Sequence, residues 1–257
     1  MAYKIVFFDI DGTLVDEEKK IPLDAVQAVR ALREKGVVTA IATGRAPYFF
    51  QSIAEQLGIR TFVSLNGAYV VHEGAPIYKH SIQREALKQL VSLAEAHGHP
   101  LVFEGSEGYF ANTEDHPHML ESVNSLKVEL PGYNPSFWES DDIFQVFLHC
   151  ESHEEHLYEP LLSELRLVRW HPSALDVLPV GGSKALGIEQ LLAHLGIAKE
   201  EAVAFGDGLN DKEMLSYVGL GIAMGNAHEQ LKPFADYVTS DVDKGGIAGG
   251  LRYAGLL

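Results

Sequence analysis

A single cysteine, Cys150, stands among 257 residues. One thiol can close no intrachain disulfide and build no cysteine-based zinc site, and such usage fits a reducing compartment, the cytoplasm by default. Long apolar runs are missing too: no segment approaches the roughly 20 apolar residues of a membrane span. The short run from Ile5 to Phe8 meets acid at Asp9, too soon for a signal peptide, so neither export nor membrane insertion is expected. Basic residues are scarce, with 20 Lys and Arg against 36 Asp and Glu, a net charge of −16. That excess repels nucleic acid and acidic membrane surfaces. A small phosphorylated metabolite meets the same repulsion, so a phosphate site here needs local positive charge from a metal or a few basic side chains. Internal repeats and low-complexity tracts are absent.

What is present is a globular composition, 46% hydrophobic and 22% charged, which needs no partner to fold. Residues 4–8 read as a buried parallel strand with Asp9 at its C-terminal edge. From Pro22, the spacing of Leu23, Val26, Val29 and Leu32 predicts a helix closed by Gly36. A strand at 37–42, a helix at 46–57 and a strand at 61–65 complete a βαβαβ alternation, which implies a parallel sheet with right-handed crossovers. The C-terminal third repeats the pattern: a helix at 184–195, a strand at 202–205, a helix from about Asn210, a strand at 219–223 and a last helix after Gly246. Residues 82–182 between them carry their own mixture of helices and strands. The expected fold class is α/β: a parallel-sheet core from 1–81 and 183–257, with an inserted α+β domain at 82–182.

Four segments at strand ends or helix starts carry chemistry. Asp9-Ile10-Asp11-Gly12-Thr13 puts two carboxylates where open α/β sheets bind ligands. Such a pair suits a magnesium-type cation, which takes hard oxygen ligands and keeps positions open for phosphate. One carboxylate can then attack phosphorus while its neighbour handles the proton. Read alone, the same run is equally an acidic turn. Thr43-Gly44-Arg45 offers a hydroxyl and backbone N–H groups at a strand-to-helix turn, a phosphate seat or an ordinary N-cap. Gly181-Gly182-Ser183-Lys184 leads into a helix beginning with lysine, the point charge required above. Gly206-Asp207-Gly208-Leu209-Asn210-Asp211 is a second acidic cluster; it lacks the third glycine of a dinucleotide-binding loop, which disfavours an oxidoreductase.

In order and spacing these segments resemble the haloacid dehalogenase-like superfamily, and the position of the insert is similar to its Cof-type phosphatases with a C2 cap. The resemblance spans the whole chain and implies a Rossmann-like core, an inserted cap that sets substrate specificity, and a magnesium-dependent phosphatase of small phosphomonoesters such as sugar phosphates or phosphorylated cofactors. It implies Asp9 as nucleophile and magnesium ligand, and Asp11 as general acid and base with a backbone carbonyl on the metal. Asp207 would be a further metal ligand, with Asp211 direct or in the outer shell. Ile10, Thr43, Gly44, Lys184 and Asn210 would hold phosphate oxygens, Lys184 also offsetting charge at Asp9. Asn66 and Gly67 would lie near the substrate, and Arg45 would reach toward the cap. Dehalogenase chemistry fits less well because halide displacement needs no acid at Asp11. The familiar mutases carry their cap after the first motif, where 12–22 is too short for one. An idle metabolite-binding protein would have no need of the Asp11 acid.

The pairs His97-x-His99 and His116-x-His118 have metal-chelating spacing, but 12 histidines produce such pairs by chance. Cys150 ends an apolar strand and reads as a buried small hydrophobe; Trp170 reads as core. The glycine-rich run 245–250 follows no strand and reads as a loose helix start.

Overall fold

In the computed structural model, which describes residues 2–257, the run Ile-Val-Phe-Phe forms β1 (Ile5–Phe8) with all four side chains buried. β-Branched and aromatic residues suit a strand covered on both faces. Helix α1 (Leu23–Glu34) turns Ala25, Ala28, Val29 and Leu32 inward at helical spacing, and β2 (Val38–Ala42) follows. The single helix expected at 46–57 is divided into a 3₁₀ turn at Pro47–Phe49 and α2 (Gln51–Leu57). The reason is packing. Phe50, with φ of −130°, turns out of helical geometry and buries its ring against Phe62 at 5.3 Å. Beyond β3 (Phe62–Ser64) comes a hairpin that the sequence reading did not foresee: β4 (Tyr69–His72) and β5 (Ala75–Lys79), joined at Glu73-Gly74 with φ of 47° and 82°. Positive φ at both turn residues matches the twist of the strands. The signal was weak because β5 is largely solvent-facing and shows no apolar alternation.

The chain then builds α3 (Arg84–His97), β6 (Leu101–Glu104), β7 (Tyr109–Ala111), α4 (Pro117–Ser125), β8 (Gly132–Tyr133), α5 (Phe137–Ser140), β9 (Gln145–Leu148), β10 (Leu165–His171) and β11 (Ala174–Pro179). It closes with α6 (Lys184–Leu195), β12 (Ala202–Gly206), α7 (Lys212–Tyr217), β13 (Leu220–Ala223), β14 (Tyr237–Val238) and α8 (Gly246–Tyr253). Two compact units result. One comprises the chain up to Arg45 with Phe50–Lys79 and Ser183–Leu257; the other is His80–Gly182 with Ala46–Phe49. The second therefore starts two residues earlier than the sequence pattern indicated. It also takes four residues from the core segment, because Tyr48 and Phe49 pack their rings on Tyr109 at 5.3 and 4.8 Å.

The first unit holds one sheet in the order β14-β13-β12-β1-β2-β3-β4-β5. Its neighbours pair in parallel from β14 to β3, and the β4–β5 hairpin adds antiparallel strands at the edge. From β1 the chain moves to β2 on one side, and much later to β12 on the other. Strand order thus reverses beside β1, and the crevice outside the C-terminal ends of β1 and β12 is where such sheets take ligands.

The second unit holds a sheet in the order β10-β11-β9-β6-β7-β8. One face packs Leu101, Phe103, Val146 and Leu148 with Leu87 and Leu90 of α3; the other packs Val102 and Phe147 with Met119 and Val123 of α4. Trp170 is half-buried against Phe147, and Cys150 is fully buried. Among the described residues, no helix is long and apolar enough to cross a membrane.

The β1–β12 pair is the keel of the first unit, with Phe8 stacked on Phe205 at 5.3 Å, both fully buried. Phe205→Ala should cost about 3–5 kcal/mol in urea unfolding followed by circular dichroism; a loss below about 1 kcal/mol would contradict this packing.

Candidate active site

Asp9 and Asp207 each lie one residue past neighbouring parallel strands, in a register that pairs Phe8 with Phe205. Backbone pairing delivers both carboxylates to the same edge. One oxygen from each of Asp9, Asp207 and Asp211 lies within 4.8 Å of the others. Lys184, the first residue of α6, joins them. Its buried ammonium donates to Asp9 Oδ1 at 2.7 Å and to Asp211 Oδ1 at 2.6 Å.

Local sequence explains how Lys184 gets there. The Ser183 hydroxyl caps α6, accepting from the Leu186 N–H at 3.2 Å as an N-cap serine should. The turn at Asn66-Gly67 seats against the same point: Gly67 has φ of 94°, and a Cβ there would fall 1.9 Å from the Ser183 carbonyl oxygen. Only glycine permits that approach.

Asp211 is fully enclosed. Its Oδ2 accepts the backbone N–H groups of Asp207 at 2.9 Å and Gly208 at 3.0 Å, while Oδ1 takes Lys184. Asp207 is steered from the other loop, where Thr13 Oγ1 donates to its Oδ1 at 3.0 Å. Gly12, at φ of 71°, brings that loop so close that a Cβ would sit 2.2 Å from Asp207 Oδ2.

Asp11 has different company. Arg45 donates to both of its oxygens, Nε to Oδ2 at 2.7 Å and Nη2 to Oδ1 at 2.6 Å, and Lys19 Nζ adds a third bond at 2.5 Å. Such a bidentate pair is strong and geometrically specific. Thr43 is buried, its hydroxyl accepting from the Arg45 N–H at 3.1 Å and its carbonyl from the Asn66 N–H at 3.1 Å. Asn210 Nδ2 donates weakly to Asn66 Oδ1 at 3.4 Å, and Gly44 lies against the same Asn66 amide. The Ile10 side chain is buried, and its carbonyl accepts the N–H groups of Thr13, Leu14 and Val15. The motifs therefore converge in two linked groups: Asp9, Lys184, Asp207 and Asp211 around one point, and Thr43, Gly44, Asn66 and Asn210 around another.

Charge decides what the first group can hold. Three carboxylates and one ammonium leave two negative charges. Burial, only partly relieved by Lys184 and aggravated by Asp211 and Asp207, holds the Asp9 pKa well above the ordinary carboxylate range. Burial and then Asp211 push Asp207 up to about 7. Burial works against the Lys184 charge, but Asp211 and Asp9 outweigh it and keep its pKa raised. At Asp11, burial alone would raise the pKa, yet Arg45 and then Lys19 prevail and lower it. One divalent cation would cancel the two uncompensated charges, and an all-oxygen donor set suits a hard cation such as magnesium. The residues present fit that ion.

Three participants escaped the sequence reading. Thr13 lay inside the first motif, where a hydroxyl after Gly12 could have been read as a partner for the second acid loop. Lys19, at φ of 62° in an exposed turn, gave no signal. The turn after β13 joins both acid loops, with the His228 N–H on the Asp207 carbonyl at 2.9 Å and Asn226 Nδ2 on the Gly12 carbonyl at 2.8 Å. The Arg45 contact with Asp11 was also unforeseen. The histidine pairs are engaged locally: His116 Nδ1 accepts from the His118 N–H, and His99 bonds Tyr158 and Glu154.

Comparison with known proteins identifies the family. A family model described as haloacid dehalogenase-like hydrolase matches residues 6–251. "Putative phosphatase YkrA" of Bacillus subtilis (strain 168) is 44% identical over 257 residues, covering all of both chains. A crystal structure of a hypothetical protein from Geobacillus kaustophilus HTA426 superposes with a TM-score of 0.96 at 52% identity, over the full length of both chains. The HAD subclass IIB sugar phosphatase BT4131 gives a TM-score of 0.86 at 32% identity, covering 99% of this chain and 100% of its own.

Raised carboxyl pKa values make the folded protein hold protons more tightly than the unfolded chain, so stability falls as pH rises from the unfolded value near 4 toward about 7 at Asp207. In EDTA, the melting temperature should therefore drop between pH 5 and pH 8, and magnesium should raise it more at pH 8 than at pH 5. Scanning calorimetry would contradict this reading if magnesium raised it equally at both.

Proposed function

Because this chain belongs to the haloacid dehalogenase-like hydrolases, we propose that it is a magnesium-dependent phosphatase of small phosphomonoesters, sugar phosphates or phosphorylated cofactors, working through an aspartyl-phosphate on Asp9. One observation carries the reading: three carboxylates cluster at the switch point of the sheet, and a single buried lysine bonds two of them. That arrangement is two positive charges short of balance.

In this reading Asp9 attacks phosphorus as the bond to the leaving alcohol breaks. Asp11 gives the departing alkoxide its proton, then takes one from the water that cleaves the acyl phosphate and restores Asp9. Arg45 and Lys19 both favour the ionised form of Asp11, so they have to loosen before Asp11 can carry a proton. Lys184 offsets charge on Asp9 and on the transferring group, while Ile10, Thr43, Gly44 and Asn210 hold phosphate oxygens.

Asp9, Asp207 and the backbone carbonyl of Asp11 would hold magnesium. Asp211 belongs outside that shell, because Lys184 and two backbone N–H groups already occupy its oxygens. When bound, the ion neutralises the acid cluster and polarises the phosphoryl group. Arg45, Asn66 and Gly67 are assigned to substrate contacts, and selection among esters to the insert at 82–182. The single cysteine and acidic surface suit a cytoplasmic enzyme.

Phosphate release from p-nitrophenyl phosphate should require magnesium and fall by about 10⁴-fold or more in Asp9→Asn. Asp11→Asn should keep substrate binding and lose about 10²–10⁴ in kcat. Turnover retained in Asp9→Asn would refute the covalent route. Ranking sugar phosphates, pyridoxal phosphate and flavin mononucleotide by kcat/KM identifies the substrate class.

A further inference from the structure

Asn226 lies in the turn that leaves β13, outside every motif that carries the chemistry. Its amide is engaged at both ends. Nδ2 donates to the Gly12 carbonyl at 2.8 Å, and Oδ1 accepts the Val242 N–H at 2.8 Å. A carbonyl demands a donor and an N–H demands an acceptor, so only one orientation of the amide satisfies both.

The same turn grips the other acid loop through its main chain. Met224 N–H donates to the Gly206 carbonyl at 2.9 Å and His228 N–H to the Asp207 carbonyl at 2.9 Å. One five-residue turn thus touches both loops that bear the carboxylates. Main-chain bonds hold the Asp207 side, and a single side chain holds the Gly12 side.

The Gly12 carbonyl fixes the plane of the Gly12–Thr13 peptide. Thr13 rides on that peptide, and its hydroxyl orients Asp207 Oδ1 at 3.0 Å. Gly12 has φ of 71°, a conformation open to wide excursions in glycine, so the peptide needs external tethers. Its N–H, that of Thr13, has one in the Ile10 carbonyl at 3.3 Å; Asn226 supplies the other on the Gly12 carbonyl.

We infer that Asn226 is a positioning residue for the metal site, setting the Asp207 carboxylate through the Gly12–Thr13 peptide and so tuning affinity for the divalent cation. The inference rests on the magnesium phosphatase reading above. Residues that orient metal ligands typically govern affinity by 10–100-fold. Asn226 is exposed, so its loss opens no cavity in the core.

The test measures Mn²⁺ dissociation by electron paramagnetic resonance, with Mg²⁺ as competitor, on the full chain without substrate. Asn226→Ala preserves the net charge and should weaken Mn²⁺ binding by about 10-fold. Thr239→Val serves as the control, since it removes a buried hydrogen bond to the Gly246 carbonyl, 2.8 Å long, whose two partners belong to neither acid loop. It should lower the melting temperature while leaving Mn²⁺ affinity within about twofold. Should Asn226→Ala not fold, Asn226→Ser takes its place, since its hydroxyl still offers one donor. An Asn226 variant that loses stability as Thr239→Val does, yet binds Mn²⁺ within about threefold of wild type, overturns the inference and leaves the phosphatase reading intact. Wild-type protein that binds no Mn²⁺ overturns both.

Discussion

The constraint on which this fold depends is the enclosure of three carboxylates around one lysine. Buried charge is tolerated when it is paired and hydrogen-bonded, and here pairing is incomplete: Lys184 satisfies one oxygen of Asp9 and one of Asp211, while Asp207 takes its side-chain hydrogen bond from the neutral Thr13 hydroxyl. With all three carboxylates ionised the cluster is two positive charges short, which is why the Asp9 and Asp207 carboxyls hold their protons more tightly than usual. The chain as a whole is strongly acidic, at −16, so in the proposed reading phosphate is attracted only where a cation fills that deficit, and recruitment of metal and of anionic substrate is one electrostatic event.

Everything around the cluster acts to keep it from relaxing. β1 and β12 are fully buried parallel neighbours, and their pairing sets the spacing of Asp9 and Asp207 to the rise and separation of a sheet. Asp211 is locked by two N–H groups from its own turn, Lys184 by the cap at Ser183 and the close seat of Gly67, and Thr13 by the loop that crosses to Asp207. Each tether is a direct hydrogen bond or a close backbone contact, and together they hold the acid loops to a buried core. Asp11 stands apart by design. Its partners Arg45 and Lys19 are at the partly exposed margin, where a side chain can exchange its contacts during a reaction.

The sequence made the core legible because its elements are strongly periodic. β1 was read from its dense apolar run and α1 from its apolar spacing, and both acid-bearing segments fell at strand ends. The hairpin β4–β5 was missed because a solvent-facing edge strand has no alternation to read, and the break at Phe50 because adjacent aromatics pack into different units, a tertiary demand that local pattern does not encode. At the site, motif order located Asp9, Asp207, Asp211 and Lys184. The ties between loops were not legible: Arg45 on Asp11 spans 34 residues, Thr13 on Asp207 spans 194, and Asn226 on Gly12 spans 214. Contacts of that separation leave no periodic trace, and they decide how the acids are aimed.

The central claim is that the enclosed Asp9, and no other carboxylate of the cluster, forms a bond to phosphorus. Rapid acid quench of the enzyme during turnover of p-nitrophenyl phosphate with magnesium, followed by peptide mass spectrometry, tests it directly. The expected result is one added phosphoryl group on the peptide bearing Asp9, absent without magnesium. A phosphoryl group on the peptide bearing Asp207 and Asp211, or steady turnover with no modified peptide at any quench time, would contradict it.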